Sequence, residues 1–298
     1  MNANRLLAIN DILFVGAAVI FLWVMIMLAL ALYGPEPVRR RLRQPGQIIA
    51  AGIIFPVLVL SALLFYTFGA ATNALRGSDP PALRVEVIGE MWWWRLRYLD
   101  EDDQLMFETA NDIRMPAGVP VEFVLKSDNV IHSFWVPGLA GKLDMVPGHV
   151  NRLRVQAEKP GLFRGQCAEY CGAQHAKMMF DVQALSPKDF QEWAALQRQP
   201  APEPTNDTLR LGREHFMQFC AQCHTVRGTD ASGILGPDLT HIGSRLSLAA
   251  GVLPNNVGAM AGWIAGSQHI KPGNQMPSFN QLSGKGLRAV AQYMEILK

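Results

Sequence analysis

Two stretches of this chain are incompatible with an ordinary water-soluble fold. Residues 12–33 run for 22 positions, and residues 48–75 for 28, without a charged side chain. In hydrocarbon every backbone N–H and C=O must be satisfied within the segment, so such stretches are helical, and about 20 apolar residues span a bilayer. Neither has a polar face, which argues against a buried pair of globular helices. Pro56 interrupts the second. The loop between them, residues 34–47, holds Arg39, Arg40, Arg41 and Arg43 against Glu36 alone, while the outer flanks offer only Arg5 and Arg76 as basic residues. Arginines stay on the cytoplasmic side, so the loop is expected inside and both termini outside. A cleaved signal peptide is the alternative, with Ala29-Leu-Ala31 as its site. Its apolar core would be too long and its basic region, Arg5, too thin.

From residue 82 the period changes to two. Leu83, Val85 and Val87 alternate with Arg84 and Glu86, and Val119, Val121, Phe123 and Leu125 do so beside Glu122 and Lys126. Further short apolar runs lie at 91–99, 150–155 and 178–185, separated by Pro, Gly and Asp clusters. Short strands with turn signals predict a β-sandwich or barrel. Within this region stands Cys167-Ala-Glu-Tyr-Cys171-Gly-Ala-Gln-His175-Ala-Lys-Met178, and upstream His132 sits in Val-Ile-His-Ser-Phe-Trp-Val-Pro. Thiolate and thioether are soft ligands that suit copper, zinc or iron–sulfur, and imidazole suits copper and zinc. Two Cys, two His and one Met suit a pair of copper ions bridged by both sulfurs, one His on each, with Met178 and a main-chain carbonyl as weak axial ligands. A Cys2His2 zinc site uses the same four residues; Met178, of no use to zinc, counts against it.

Residues 199–206, Gln-Pro-Ala-Pro-Glu-Pro-Thr-Asn, read as an extended, semi-rigid linker. Beyond it Cys220-Ala-Gln-Cys223-His224 is a haem c attachment signature, with thiols for the vinyl groups and His224 as an axial ligand. A helix over 209–219 leads into it, Gly236-Pro237 follows at a distance suited to a carbonyl that orients the His224 ring, and 286–297 is an amphipathic terminal helix. Lys271-Pro-Gly-Asn-Gln-Met276-Pro277 is a loop offering a thioether, and Met276 is the expected sixth iron ligand. Met260, on a helix over 258–266, is its competitor. His215, His241 and His269 have no such context and read as surface residues. The two metal-type motifs use all four cysteines, leaving none for a disulfide framework. The net charge of +2 gives no sign of nucleic acid as a partner. Its division is more informative: residues 78–198 carry 17 acidic and 13 basic side chains, a balance of −4, and residues 205–298 carry 5 and 8, a balance of +3. Electrostatic docking of the second region on the first is therefore expected, weakening as salt rises.

His132-Ser, then Lys142-Leu-Asp144-Met-Val-Pro147-Gly148, then Pro160-Gly-Leu-Phe-Arg-Gly-Gln166 running into the cysteine motif, resembles subunit II of cytochrome c oxidase from residue 1 to about 198. The copper A loop of that family, Cys-x-Glu-x-Cys-x-x-x-His-x-x-Met, fits without a gap. Residues 207–298 resemble a small class I cytochrome c. The first resemblance implies a cupredoxin-like sandwich and copper A ligands His132, Cys167, Cys171, His175, Met178 and the backbone carbonyl of Glu169. It also implies that the Glu169 side chain serves a magnesium or manganese ion shared with subunit I. Asp144 either stabilises a turn or lies near the copper rim. In Met91-Trp92-Trp93-Trp94-Arg95, Trp92 matches the first Trp of the family's Trp-Tyr-Trp electron-entry motif, with Trp93 in place of the Tyr. Strand alternation would put Trp92 and Trp94 on one face and Trp93 on the other. One departure stands out: the family's Glu at the start of the second helix, at the mouth of a proton path, is absent from Gln47-Ile-Ile-Ala-Ala-Gly-Ile-Ile-Phe-Pro56.

The expected molecule is multi-domain: a transmembrane α-hairpin in 1–77 (about 12–33 and 48–75), an all-β cupredoxin-like copper A domain in 78–198, the linker 199–206, and an all-α cytochrome c domain in 207–298. The resemblance implies an oxidoreductase subunit of a proton-translocating haem–copper oxidase with oxygen as acceptor. Electrons would pass from a soluble or membrane-bound cytochrome c, or another periplasmic donor, to one covalent haem c, then to dinuclear copper A, then to subunit I, where oxygen is reduced. Subunits I and III and lipid are the expected partners. The bacterial inner membrane is the expected site, crossed twice, with both redox domains outside. The alternatives are the electron-entry subunit of a copper A nitric oxide reductase and a free-standing membrane-anchored electron carrier. Nitrous oxide reductase has a similar copper loop but lacks this anchor and haem domain, and quinol oxidases have lost the copper ligands.

Overall fold

In a computed structural model that describes residues 3–75, 81 and 83–298, both uncharged stretches are helices. Helix α1 spans Ala3–Tyr33, a short α2 (Glu36–Leu42) fills the arginine-rich loop, and α3 (Pro45–Ile49) runs through a wider π-helical turn, Ala50–Ile54, into α4 (Phe55–Leu75). The ring of Pro56 collides with the carbonyl four residues back in a regular helix, so the ladder opens just ahead of it. Leu7–Tyr33 and Pro45–Gly69, 27 and 25 residues, are long and apolar enough to cross a membrane, and their side chains lie exposed along the helices. Trp23 packs on Phe55 with ring centroids 5.2 Å apart, and Glu36 pairs with Arg39 in the loop. Arg76 and the boundary expected at 77/78 lie outside the described residues.

The chain divides into two compact units, Met1–Pro80 and Pro81–Lys298. The second begins with ten strands: β1 (Leu83–Glu90), β2 (Trp93–Leu99), β3 (Leu105–Ala110), β4 (Asp112–Pro116), β5 (Val121–Ser127), β6 (His132–Trp135), β7 (Leu143–Met145), β8 (Asn151–Val155), β9 (Gly161–Cys167) and β10 (Met179–Leu185). They form two five-stranded sheets, ordered β3-β2-β1-β5-β8 and β4-β10-β9-β6-β7. The alternation in β1 works as predicted. Val85 and Val87 are fully buried between the sheets, and Glu86 lies on the other face, paired with Arg97 and Lys126. Trp94 fills the core against Phe134 and Phe180, with centroids 6.0 and 5.0 Å away.

The tryptophan run departs from simple alternation. Met91 and Trp92 form the turn between β1 and β2, so Trp92 is not on a strand and does not share a sheet face with Trp94. Trp93, half-buried, lies under the Arg95 guanidinium at 4.8 Å. Helix α5 (Pro187–Gln197) was not anticipated. Its signal is Ser186-Pro187: the serine hydroxyl accepts from the Asp189 N–H, and proline suits the first helical turn. Trp193 from α5 packs on Tyr98 and Phe107.

The remainder is helical: α6 (Asp207–Phe219), α7 (Val257–Ile270) and α8 (Gly284–Ile296), with a two-residue ladder of β11 (Ser247–Leu248) and β12 (Leu253–Pro254). Asn206, Asn256 and Ser283 cap the three helices by accepting from Leu209, Ala259 and Gly286 N–H. Phe216 meets Tyr293 edge-on where α6 and α8 pack. Residues 199–206 are irregular, as expected of their prolines, but they are strapped to this helical domain. The Gln199 carbonyl accepts from His241 Nε2 (3.1 Å), the Ala201 N–H donates to the Arg227 carbonyl (2.8 Å), and Glu203 pairs with Arg213. His241 is accordingly not a surface residue: it is 3% exposed. His215 is half-buried against Phe219, and His269 alone of the three is exposed.

Candidate functional site

The first cluster sits at one end of the sandwich. Strand β6 carries His132, β9 ends on Cys167, and the loop returns through a 3-10 turn, His175–Lys177, to Met178 before β10. Backbone bonds fold this loop tightly: Cys167 N–H to Met178 O (2.9 Å), Ala168 N–H to Ser133 O (3.0 Å) and His175 N–H to Gly172 O (3.0 Å). Cys167 Sγ then lies 3.7 Å from His132 Nδ1, 3.7 Å from Cys171 Sγ and 3.1 Å from the Glu169 carbonyl oxygen. Cys171 Sγ lies 3.6 Å from His175 Nδ1 and 3.8 Å from Met178 Sδ. The structure thus gathers every predicted donor of this site, one imidazole beside each sulfur, and all but His175 and Glu169 are buried.

The chemistry of the donor set fits metal. At 3.7 Å the sulfurs are far beyond the ~2.05 Å of a disulfide. His132 Nε2 donates to Asn129 Oδ1 (3.1 Å), which leaves Nδ1 facing the sulfur with its lone pair free. The thiols are coupled. The hydrogen bond from Cys171 holds Cys167 well below the ordinary thiol range, and the same contact, with burial, pushes Cys171 up. A single tetrahedral zinc takes about four ligands; two sulfurs, two imidazoles, a thioether and a carbonyl exceed that. The Glu169 carboxylate points elsewhere, 3.8 Å from Lys142 Nζ, which is also 3.7 Å from Asp144.

The second site is a cavity of about 360 Å³ in the helical domain, lined by Cys220, Cys223, His224, Met260 and Met276 among apolar side chains. His224 Nδ1 donates to the Pro237 carbonyl (2.8 Å), as the Gly236-Pro237 spacing predicted, so Nε2 faces the cavity unprotonated. Burial lowers its pKa. Gly236 passes so close that a Cβ there would come within 2.4 Å of the imidazole. The Met276 loop is held by Gln268 Nε2 and Ser267 Oγ on the Met276 carbonyl (2.8 and 2.7 Å). Thiols for attachment, a neutral imidazole, a thioether and an apolar void together fit haem c.

The two domains touch, and Trp92 is at the contact: it lines the same cavity as Cys220, Cys223 and His224, and its indole N–H donates to the Cys171 carbonyl at 2.8 Å. Around it, copper-domain side chains donate to haem-domain carbonyls: Arg95 to Ile234 (2.9 Å), Arg114 to Ser244 (2.8 Å), Arg164 to Gly251, Gln174 to Pro272 (2.7 Å) and Lys177 to Ile270 (2.6 Å). Asp112 accepts from the Leu246 N–H (3.3 Å) and Asp181 from Ser247 (2.5 Å). Lys271 reaches back to the Trp92 carbonyl (2.7 Å), and burial, then Lys177, pulls its ammonium down to about 7. At this contact the cations of the acidic domain bind neutral carbonyls, and Arg245 of the basic domain is also drawn to Asp112 and Glu108 of the acidic one. Sequence reasoning missed Asn129, Gln174 and Lys271 as contributors. Lys271 stood inside the loop quoted for Met276, but nothing in its pattern signals burial.

The profile described as "Cytochrome C oxidase subunit II, periplasmic domain" matches residues 97–185, and that described as "Cytochrome c" matches residues 209–298. Cytochrome c oxidase subunit 2 of Alkalihalophilus pseudofirmus is 35% identical over 251 residues, covering 82% of this chain and 71% of that one. The protein of the same name from Bacillus subtilis is 30% identical over 257 residues, covering 83% and 70%. The crystal structure of the periplasmic domain of subunit II of cytochrome oxidase of Bradyrhizobium japonicum is 27% identical, covers 40% of this chain and 96% of its own, and superposes with a TM-score of 0.38. Alike over most of both chains to its Alkalihalophilus relative, and with a cytochrome c match directly behind the copper domain, the chain belongs to the cytochrome c oxidase subunit II family, in a form that carries its own cytochrome c domain.

Proposed function

We propose that this chain is the electron-input subunit of a haem–copper oxidase, passing electrons from its haem c domain to copper A and on to the oxygen-reducing subunit I. The observation that carries this reading is Trp92, which lines the haem cavity and is hydrogen-bonded to the copper loop. Copper A and haem c, when bound, each take up and release one electron. Cys167, Cys171, His132, His175, Met178 and the Glu169 carbonyl hold two copper ions, because the donors outnumber the positions on one. Cys220 and Cys223 would attach the haem, and His224 and Met276 would serve as its iron ligands, a His–Met pair that raises the potential. The sandwich keeps the copper donors still, so little reorganises as charge moves. The Glu169 carboxylate, with Asp144 beside the same lysine, is the group we assign to a magnesium or manganese ion shared with subunit I.

The chain is anchored in the membrane by its two apolar helices. The arginine-rich turn between them supports an orientation with both termini and both redox domains on the outer, periplasmic side. Covalent haem attachment outside the cytoplasm agrees with that orientation. Subunit I, subunit III and an outside cytochrome c or similar donor are the partners this arrangement serves.

In the purified oxidase, photoreduced haem c should reoxidise in step with copper reduction. Trp92→Phe, which removes the indole N–H and its bond to the Cys171 carbonyl, should slow that step. The mixed-valence copper spectrum should not change. Met276→Ala should lower the haem potential and Met260→Ala should not. Haem reoxidation without copper reduction would overturn the proposal, and a single zinc per chain would overturn the metal assignment.

A further inference from the structure

Trp92 is gripped from both domains. The copper loop supplies the Cys171 carbonyl to its indole N–H (2.8 Å) and Gly172 to its ring, where a Cβ would come within 3.1 Å. The Met276 loop supplies Gly273, whose Cβ would lie 3.8 Å from the other side of the indole, and Lys271, whose Nζ donates to the Trp92 carbonyl at 2.7 Å. Both glycines have positive φ, +110° and +82°, so both backbones approach the ring in a conformation that side chains resist.

Lys271 is 3% exposed. Its other contact is the Ala249 carbonyl at 3.3 Å, and no carboxylate pairs with it among the described residues. Burying a lysine costs side-chain entropy and hydration, and a residue without a polar end would fill the same space at less cost. What the lysine adds is a directional bond across the domain boundary, five residues before Met276.

We propose that Lys271 is a positioning residue for electron exit from the haem domain: it clamps the backbone of Trp92 to the loop that carries Met276, so that transfer to the copper loop runs through residues 271–276 and the indole rather than elsewhere on the domain surface. This rests on the electron-input reading above.

The test uses the assembled, metal-loaded oxidase with Lys271→Met and Lys271→Arg. Haem-to-copper transfer is followed after photoreduction, and hydrogen exchange is followed by mass spectrometry in peptides containing Trp92 and residues 271–276. Lys271→Met should slow transfer and raise exchange in both peptides. The haem and copper spectra and the haem potential should keep their wild-type form. Lys271→Arg, which restores a donor, should recover most of the rate and the protection. Unchanged transfer in Lys271→Met, or slowing with no change in exchange, overturns the clamp. Slowing accompanied by an altered haem potential also overturns it, because the lysine would then act through the iron ligand. If the unaltered oxidase shows no haem-to-copper transfer, it is the electron-input reading that fails, independently of Lys271.

Discussion

The copper loop and the haem pocket solve the problem of holding a metal in opposite ways. Around Cys167 and Cys171 each donor already stands 3.1–3.8 Å from one of the two sulfurs, packed on a sandwich core and tied by backbone bonds. In the helical domain the donors surround a void of about 360 Å³. One site is a finished piece of protein that accepts ions; the other is a shell whose core is the cofactor. Stability should therefore depend on the two groups very unequally.

The largest effect is expected where the void is left unfilled. Without the cofactor the apolar side chains around this void lose their packing partners. Cys220→Ser with Cys223→Ser in the full chain should leave residues beyond 206 open to protease while the sandwich stays resistant. Equal resistance of both regions would break the contrast. Copper removal should cost less, about 3–4 kcal/mol at metal concentrations a hundred to a thousand times Kd. A chelated chain should keep the near-ultraviolet dichroism of the buried Trp94, whereas collapse of that signal would show the copper site to be no more self-supporting than the haem site.

The smallest effect lies at the contact between the regions. Burial raises the pKa of Asp112, against the opposing pull of Arg114, the Leu246 N–H and Arg245. The folded state therefore keeps this proton at pH values where the unfolded chain, near ~3.9, has lost it. The contribution of Asp112 to stability consequently falls as pH rises from the ordinary carboxylate range through its folded value. Asp112→Asn keeps an acceptor for Leu246, and should flatten the pH dependence of the melting temperature in that window and stabilise at neutral pH by about 1 kcal/mol. A steeper profile in the variant would reverse the sign.

Spacing carried most of the two centres. A motif such as Cys-x-Glu-x-Cys-x-x-x-His-x-x-Met folds locally, and the structure brings its members together with His132 because alternation in 132–135 sets which way that imidazole faces. The apolar spans and the strands were legible for the same reason: each follows from a periodicity within a few residues. What escaped depends on partners far away in the chain. Trp92 leaves the sheet because β1 and β2 turn there, which alternation alone does not encode. His241 is held in the interior by Gln199, which lies 42 positions away in the chain. Lys271 is buried by a domain whose nearest contact, Trp92, lies 179 residues upstream.

The strap formed by residues 199–206 has a consequence for how the molecule meets its electron donor. Eight residues could reach about 3.3–3.6 Å each if free, enough slack for a domain that swings out, collects charge and swings back. Pinned by His241, Arg227 and Arg213, they leave no such slack. The haem domain then works as a fixed terminal rather than a ferry. On the electron-input reading proposed above, arrival of a donor would be the only diffusive event, so solvent viscosity should slow delivery to the oxidase and leave the internal hop untouched.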